Sequence, residues 1–424
     1  MLIEFSVSNF LSFKEKATLS MLASRDDSLP HWKVELSSSN RFSLLKAAII
    51  YGANGSGKSN FIKALSFMRK FVIESAQKGG PESAIDVTPF KLEEPYENKP
   101  SEFEIIFIHN GVRYGYGFSV DKRRVHHEWL TSSPKGQLRK LFERSKERRG
   151  VIKFGSHWKG GGKRLMAYTR PNALFLSTAA QFNHPQARSV VTWFLHMIDI
   201  LPEWPWDELY GIAGQTSSIV LSSPKDKANV LKFLERADLG IIDFIPKQRA
   251  SYHDPLVPRE LEEINDLIND GGYDIKIVHK GKTLKARDKR VLLDLKEESA
   301  GTKKIYNLAG PLMAILGAKG IMLADELDVR LHPNLARWII EMFMIKRINN
   351  KNAQLIMTSH DASFLDRSLF RRDQIWFTEK DESGASRLYS LWDFKARKDE
   401  NIRGGYLVGR YGAVPFLDHI HDGV

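Results

Sequence analysis

A glycine-rich segment between an apolar run and a helical pattern constrains this chain more than any other feature. Residues 52–59 read G-A-N-G-S-G-K-S and fit the motif G-x-x-x-x-G-K-[ST] at every position. The preceding run, Ala47–Tyr51, is continuously apolar, which is typical of a strand buried on both faces. Four apolar residues follow at helical spacing: Phe61, Leu65, Met68 and Val72. This strand–loop–helix order predicts a phosphate-binding loop in a parallel α/β core.

The chemistry of the loop suits the phosphates of a nucleotide. Its glycines let successive backbone N–H groups point inward, and the helix predicted to start at Lys58 adds the positive end of its dipole. Lys58 would reach the β- and γ-phosphates, and the Ser59 hydroxyl would bind Mg²⁺. We therefore assign nucleotide binding to nine consecutive residues: Gly52, Ala53, Asn54, Gly55, Ser56, Gly57, Lys58, Ser59 and Asn60.

A second apolar strand, predicted over residues 321–324, ends in two carboxylates, Asp325 and Glu326. An acid at the end of such a strand is placed to hold Mg²⁺ through its hydration shell, which is the role we assign to Asp325. The acid that follows it, Glu326, is a candidate general base for an attacking water. The alternative is a surface strand that happens to end in acids, and the phosphate loop upstream favours the nucleotide interpretation.

Three further features are less specific. Ser299 and Gly301 open a predicted helix, where free N–H groups bind anions, although a plain helix cap explains them equally well. His360 follows the predicted strand Gln354–Thr358 and would contact a γ-phosphate, whereas a lone histidine is more often structural. Asp328 lies two residues after Glu326, in a segment that otherwise indicates a turn.

Strand and helix signals alternate along the chain and indicate the α/β class. Asn110-Gly111 lies between two alternating runs and predicts a β-hairpin with a type I′ turn. We expect a P-loop NTPase of the ABC-ATPase type, with a mixed sheet flanked by helices and an antiparallel β subdomain. Residues 1–125 would form the first half of the core and residues 286–424 the second. Between them, residues 126–285 would be an inserted region of helices and strands.

Composition narrows the class of protein. With 0 Cys, the chain has no disulfide framework, no thiol nucleophile and no zinc site built on cysteine. No apolar run reaches the roughly 18 residues of a membrane span, and the first residues already alternate like a strand. We therefore expect a soluble cytoplasmic protein without a membrane partner.

The charge of the chain is concentrated in one segment. The net charge is +12, and residues 122–164 carry 14 basic against 3 acidic residues. Such a basic block is able to bind an anionic partner, most often nucleic acid. A solvated, partly mobile loop that includes three consecutive glycines explains it as well. The sequence leaves these two interpretations open.

The order of these motifs resembles the ABC-type ATPase heads of SMC and RecF proteins. More closely, D-E-L-D at residues 325–328, L-H-P at 331–333 and S-H-D at 359–361 resemble the abortive-infection ATPases. The segments A-D-L-G-I at 237–241 and Y-L-V-G-R-Y-G-A-V-P at 406–415 are similar to the RloA/AbiL-type branch of that family.

The resemblance implies an ATPase that uses ATP and Mg²⁺ and releases ADP and phosphate. Two heads would pair head to tail around ATP, as a homodimer or a higher homo-oligomer. One head would contribute the phosphate loop with Asp325, Glu326 and His360. The other would present three residues to the same nucleotide: Ser299, Gly301 and Asp328. The family also implies a subunit of a bacterial anti-phage (abortive-infection) system that controls a separately encoded, nuclease-like effector.

Some features depart from the ABC pattern. Glu298 stands where ABC heads often carry Leu, and the second Gly and the Gln of their signature are absent. No Gln loop is assigned, and the long coiled coil of SMC proteins is missing. The alternative function is a DNA-repair or recombination ATPase of the RecF type that grips duplex DNA through residues 122–164. A module that binds ATP without hydrolysing it is disfavoured, because a pure binder has no use for a base at Glu326.

Overall fold

A computed structural model of the protein describes residues 1–36, 42–145, 151–201, 211–237, 239–248, 273–282, 288–397 and 399–415. The chain divides into two compact units. Unit 1 combines Met1–Ile200, Lys319–Glu326 and Ile340–Val424, and unit 2 combines Leu201–Ala318 with Leu327–Ile339.

The described strands are β1 (Leu2–Ser8), β2 (Ala17–Ser20), β3 (Lys33–Glu35), β4 (Ser43–Leu45), β5 (Ala47–Tyr51), β6 (Ser101–His109), β7 (Val112–Val120), β8 (Val125–Ser133), β9 (Arg139–Arg144), β10 (Ile152–Phe154), β11 (Ile198–Leu201), β12 (Ile241–Gln248), β13 (Tyr273–Lys282), β14 (Asp288–Asp294), β15 (Ile321–Ala324), β16 (Gln354–Thr358), β17 (Ile375–Lys380) and β18 (Ser386–Ser390). The described α-helices are α1 (Lys58–Glu74), α2 (Gly162–Ala167), α3 (Phe175–Gln181), α4 (Pro185–Met197), α5 (Gly211–Ser222), α6 (Pro224–Arg236), α7 (Ala300–Ala318), α8 (Pro333–Met344) and α9 (Ile402–Leu407).

The core sheet has six strands in the order β11-β15-β16-β5-β17-β18. Strands β15, β16, β5 and β17 run parallel, and β18 pairs antiparallel with β17. Every residue of β5, β15 and β16 is buried, as their continuous apolar runs predict. Because β5 lies between β16 and β17, the segment that follows it emerges at the middle of the carboxyl edge. The predicted mixed sheet is confirmed.

A second, antiparallel sheet has seven strands in the order β10-β9-β8-β7-β6-β1-β2. The predicted hairpin joins β6 to β7, and its turn residues Asn110 and Gly111 have φ of 48° and 75°. The four apolar residues predicted for one side of α1 are all buried. The ring of Phe61 on α1 lies 5.4 Å from that of Phe5 on β1, so the helix packs against this second sheet.

The structure corrects the predicted domain boundary at residue 126. Strand β8 pairs with β7 along its whole length, and β9 and β10 continue the same sheet. The stacked rings of Phe107 and Trp193, 3.8 Å apart, add α4 to unit 1. The separate unit begins at Leu201 instead, and it also takes α7 and Leu327–Ile339 from the predicted second half of the core. The predicted boundary and the structure differ because long-range strand pairing joins residues after 126 to the second sheet. The basic composition of that segment does not reveal such pairing.

Unit 2 contains the antiparallel sheet β12-β13-β14 and the helices α5, α6 and α7. Helix α7 contains Pro311, which cannot donate to the carbonyl of Asn307. The hydroxyl of Thr216 on α5 donates to Tyr306 O at 2.9 Å, lies 3.3 Å from the Asn307 oxygen and accepts a hydrogen bond from Gly310 N–H at 3.0 Å. Helix α5 thus supplies a polar partner to the turn of α7 that the proline interrupts. Among the described helices, none combines the length and the apolar character needed to cross a lipid bilayer.

Candidate functional site

The phosphate loop joins the carboxyl end of β5 to the start of α1. Gly55 and Gly57 have φ of 72° and 115°, a backbone region that favours glycine. Helix α1 begins at Lys58, as predicted, and no side chain caps its N-terminus. The first N–H groups of α1 therefore have no side-chain acceptor, and with the helix dipole they form an anion site.

Side chains from distant parts of unit 1 brace this loop. Ser56 Oγ lies 2.7 Å from Thr378 Oγ1 on β17. Ser386 Oγ on β18 lies 2.6 Å from the backbone oxygen of Ser56 and 2.8 Å from Ser12 Oγ. A Cβ atom at Gly57 would collide with the Ser386 side chain, so the close approach requires glycine. Sequence reasoning missed Ser12, Thr378 and Ser386, since isolated hydroxyl residues so far from the motif give no signal.

Lys58 is buried, with 5% of its surface exposed. Its ammonium donates hydrogen bonds to the carbonyl oxygens of Gly52 at 2.8 Å and Ala53 at 3.1 Å. These contacts hold the charge against the loop that carries the predicted phosphate contacts. Asn60 donates to Ser12 Oγ at 2.8 Å, so it braces the loop through Ser12.

The acidic pair lies directly after β15, and its neighbour β16 organises it. Thr358 Oγ1, at the end of β16, donates to Asp325 Oδ1 at 2.5 Å and accepts from Glu326 N–H at 2.8 Å. Glu326 has φ of 48°, a strained conformation for a residue with a side chain. His360 Nε2 lies 3.2 Å from Glu326 Oε1. Since β15, β16 and β5 are parallel neighbours, these groups and the phosphate loop share one edge of the sheet.

The three remaining candidates lie in unit 2. Ser299 Oγ accepts a hydrogen bond from Thr302 N–H at 3.1 Å, so Ser299 is a helix cap for α7. Ser299 and Gly301 also line a cavity of about 460 Å³, together with three cationic or ionisable side chains: Arg236, Arg330 and His332. Asp328 lies in the turn between β15 and α8. Ser299 therefore caps α7 and lines the cavity at the same time, so the cap interpretation and the anion-site interpretation are compatible.

The residues present fit a nucleoside triphosphate and Mg²⁺. The uncapped N-terminus of α1 and the positive-φ glycines form a cradle for phosphate oxygens. Asp325 is nine-tenths buried and uses Oδ1 to accept from Thr358, which leaves lone pairs on Oδ2 for a hydrated cation. A hard cation with oxygen ligands suits this carboxylate and the Ser59 hydroxyl.

The basic block, residues 122–164, contains both buried and exposed basic residues. Arg144 is buried and donates to the carbonyl oxygens of Ala173 and Pro171, near the fully buried Glu128. Burial raises the pKa of Glu128, and the charge of Arg144 opposes that rise. Arg144 is therefore an interior residue and not part of an anion-binding surface. Residues 146–150 of the block lie outside the described residues, and the rest of it forms β8, β9, β10 and α2 instead of one loop.

The fold and the site define a P-loop ATPase, with the loop after β5 and the acids after β15 on one sheet edge. The chain belongs to the family described as "AAA domain, putative AbiEii toxin, Type IV TA system", whose model matches residues 47–192 and 220–366. These ranges cover more than half of the chain. Among proteins with a curated description, none matches the sequence.

Many solved structures are similar to the chain, and three SMC heads are among them. The SMC head domain from Thermotoga maritima is 16% identical, with 92% of this chain and 98% of that chain covered and a TM-score of 0.38. An Smc head bound to the C-terminal winged-helix domain of ScpA is 14% identical, with 92% and 97% covered and a TM-score of 0.42. A Pyrococcus furiosus Smc head bound to the C-terminal domain of ScpA is 12% identical, with 93% and 99% covered and a TM-score of 0.40.

Proposed function

We propose that this protein is the ATP-binding and ATP-hydrolysing subunit of a bacterial anti-phage (abortive-infection) system. It acts in the cytoplasm, dimerises around ATP and controls a separately encoded, nuclease-like effector. The observation that carries the ATPase part is the hydrogen-bonded unit of Asp325, Thr358 and Glu326 on the same sheet edge as the phosphate loop. The toxin–antitoxin description of the family and the RloA/AbiL-like segments of the sequence support the defence role.

Each group at this edge has a distinct task in the proposal. The loop N–H groups and Lys58 bind the phosphates, and Ser59 and Asp325 hold the cation. Bound Mg²⁺ supplies positive charge that stabilises the transferring phosphoryl group. Glu326 accepts the proton of the attacking water, with its backbone N–H fixed by Thr358. His360 contacts the γ-phosphate and orients the Glu326 carboxylate, which lies 3.2 Å from its ring nitrogen.

The proposed second half of the site comes from another copy of the chain. Ser299 and Gly301 present the N-terminus of α7 to the nucleotide of the partner, and Asp328 joins them. Support comes from the basic lining of their cavity, in which Arg236 and Arg330 supply positive charge suited to a phosphate. One copy alone would then bind ATP but turn it over slowly.

Steady-state ATP hydrolysis measured against protein concentration tests this proposal. The specific activity should rise with concentration and follow the dimer fraction measured by analytical ultracentrifugation in ATP. The Glu326→Gln protein, prepared in parallel, measures contaminating activity. Constant specific activity in a protein that stays monomeric would overturn the shared site.

The basic block supports one other function, a DNA-repair or recombination ATPase of the RecF type. Lys122 and Arg123 are exposed at the turn between β7 and β8. If such residues neutralise DNA phosphates, the affinity for duplex DNA must fall steeply with salt. The hydrolysis assay is therefore repeated with duplex DNA at several salt concentrations. Salt-sensitive stimulation would favour repair over defence, and a flat response would remove the DNA-binding function.

A further inference from the structure

A cavity of about 680 Å³ lies at the amino edge of the core sheet. Its lining comes from β3 and the turn before it, from Lys46 directly before β5, and from the chain between α8 and β16. Strand β5 runs from this cavity to the phosphate loop. Gly52 lies six positions after Lys46 along extended chain, which places the two sites about 20 Å apart. The cavity is therefore distinct from the ATP site.

Lys46 is the unusual residue of this cavity, since only 4% of its surface is exposed. Its backbone is held on both sides, because its N–H donates to Trp32 O at 2.9 Å and its carbonyl accepts from Leu355 N–H at 2.8 Å. These bonds fix the point from which the side chain starts. In the part of the chain that the structure describes, no carboxylate pairs with its ammonium. A positive charge on a largely buried residue, with no carboxylate beside it, is unfavourable unless a ligand compensates it.

The other ionisable residues of the cavity add to its excess of positive charge. Lys33, Lys346 and His31 line it together with Lys46, against a single acid, Glu35. Burial first, and the nearby charge of Lys346 second, lower the pKa of Lys46. Two ammonium groups that repel each other across a cavity are stabilised by an anion placed between them. A tetrahedral oxyanion accepts hydrogen bonds from both, because an ammonium presents three donors.

We infer that this cavity binds the phosphate group of a small ligand between Lys46 and Lys346. Its volume lies in the range of pockets for small molecules and cofactors, so the ligand is at most about the size of a mononucleotide. Asn352, which also lines the cavity, offers an amide for the remainder of the ligand. The site goes beyond the proposed function, since ATP hydrolysis at the carboxyl edge does not need it.

Calorimetric titration of the full chain with inorganic pyrophosphate tests the site. Pyrophosphate should bind the Lys58→Ala protein, in which the phosphate loop is disabled. In that background, Lys346→Ala should weaken binding at least tenfold, and Lys46→Met should abolish it. Lys91→Ala, which removes an exposed lysine outside the cavity, is the matched control and should bind normally. Unchanged affinity in Lys346→Ala and Lys46→Met would overturn the inference, as would loss of all binding in Lys58→Ala alone.

Thermal melts separate a binding role from a structural one. Without pyrophosphate, Lys46→Met should melt at the same or a higher temperature, because the substitution removes an uncompensated charge from a largely buried residue and keeps an apolar stem. Pyrophosphate should raise the melting temperature of the Lys58→Ala protein but not that of its Lys46→Met derivative. If Lys46→Met does not fold, Lys346→Ala decides, since that side chain is exposed.

Two further measurements complete the test. Competition of pyrophosphate with AMP distinguishes a nucleotide from an inorganic phosphate as the ligand. ATP hydrolysis by Lys46→Met, with Lys58 intact, should proceed at the wild-type rate. Failure of the pyrophosphate site would leave that rate unaffected, so this inference and the proposed ATPase mechanism fail independently.

Discussion

Thr358 Oγ1 lies 2.5 Å from Asp325 Oδ1, and the same hydroxyl accepts the backbone N–H of the next acid, Glu326, at 2.8 Å. One buried side chain at the end of β16 thus holds the carboxylate of Asp325 and the backbone of Glu326. Groups of this kind orient a site without touching the ligand, and their loss usually costs more activity than stability.

The Thr358→Val protein should therefore fold and bind ATP but hydrolyse it about tenfold or more slowly. Valine keeps the shape of threonine and removes the hydroxyl that joins Asp325 to Glu326. Thr358→Ser retains the hydroxyl and should keep most of the activity. The measurement is kcat and KM for ATP in both variants. Equal kcat values for valine and serine would show that the hydroxyl does not position the acids.

The Lys58→Ala protein should lose ATP binding or hydrolysis. The substitution removes the ammonium that now contacts the carbonyl oxygens of Gly52 and Ala53 and that is proposed to meet the phosphates. Titration with a fluorescent ATP analogue measures the effect. Lys70→Ala, on the exposed side of the same helix, is the control and should behave as wild type. Normal binding and turnover by Lys58→Ala would contradict the assignment of the loop.

The Glu326→Gln protein should bind ATP and accumulate a closed dimer, because glutamine keeps the shape of the side chain but cannot accept the proton of water. Size-exclusion chromatography in ATP and a phosphate-release assay follow the two effects. Glu382→Gln, an exposed site between β17 and β18, should leave both unchanged. Wild-type turnover by Glu326→Gln would remove this residue as the base.

Two glycines of the phosphate loop should differ in their tolerance of alanine. At Gly57, with φ of 115°, a Cβ would collide with the Ser386 side chain, whereas at Gly55, with φ of 72°, it would meet no atom within 4 Å. Gly57→Ala should therefore abolish ATP hydrolysis. Gly55→Ala should cost about 1 kcal/mol in local strain and retain measurable activity. Equal loss in both variants would mean that contact with Ser386 does not shape the loop.

Neutralising a buried residue of the basic block should lower the stability of the protein much more than neutralising an exposed one. Arg144→Ala leaves Glu128 buried without its nearby positive charge and should lower the free energy of unfolding by about 3–5 kcal/mol. Arg123→Ala, at an exposed turn, should change it by less than about 0.5 kcal/mol. Urea unfolding measures both. Equal stability of the two variants would contradict an interior role for Arg144.

Local patterns in the sequence were sufficient for much of this protein. The phosphate loop, the start of α1 at Lys58 and the hairpin at Asn110-Gly111 depend on glycine conformations and on periodicities within a few residues. Such signals survive in an isolated segment, because backbone sterics and the burial of one face act over short distances. The acids after β15 were also found this way, since an apolar run followed by Asp-Glu is visible without the fold.

Tertiary structure alone decided the rest. Thr358 meets the acids because β15 and β16 pair in parallel, although 32 and 33 positions separate it from Glu326 and Asp325. Ser386 meets Ser56, 330 positions away, because β18 pairs with β17 and β17 with β5. The same long-range pairing moved residues 126–200 into unit 1 and buried Arg144, which composition alone had grouped with a surface. Lys46 carries no sequence signal at all, because the burial of a lone lysine depends on what other elements pack around it and not on its neighbours in the chain.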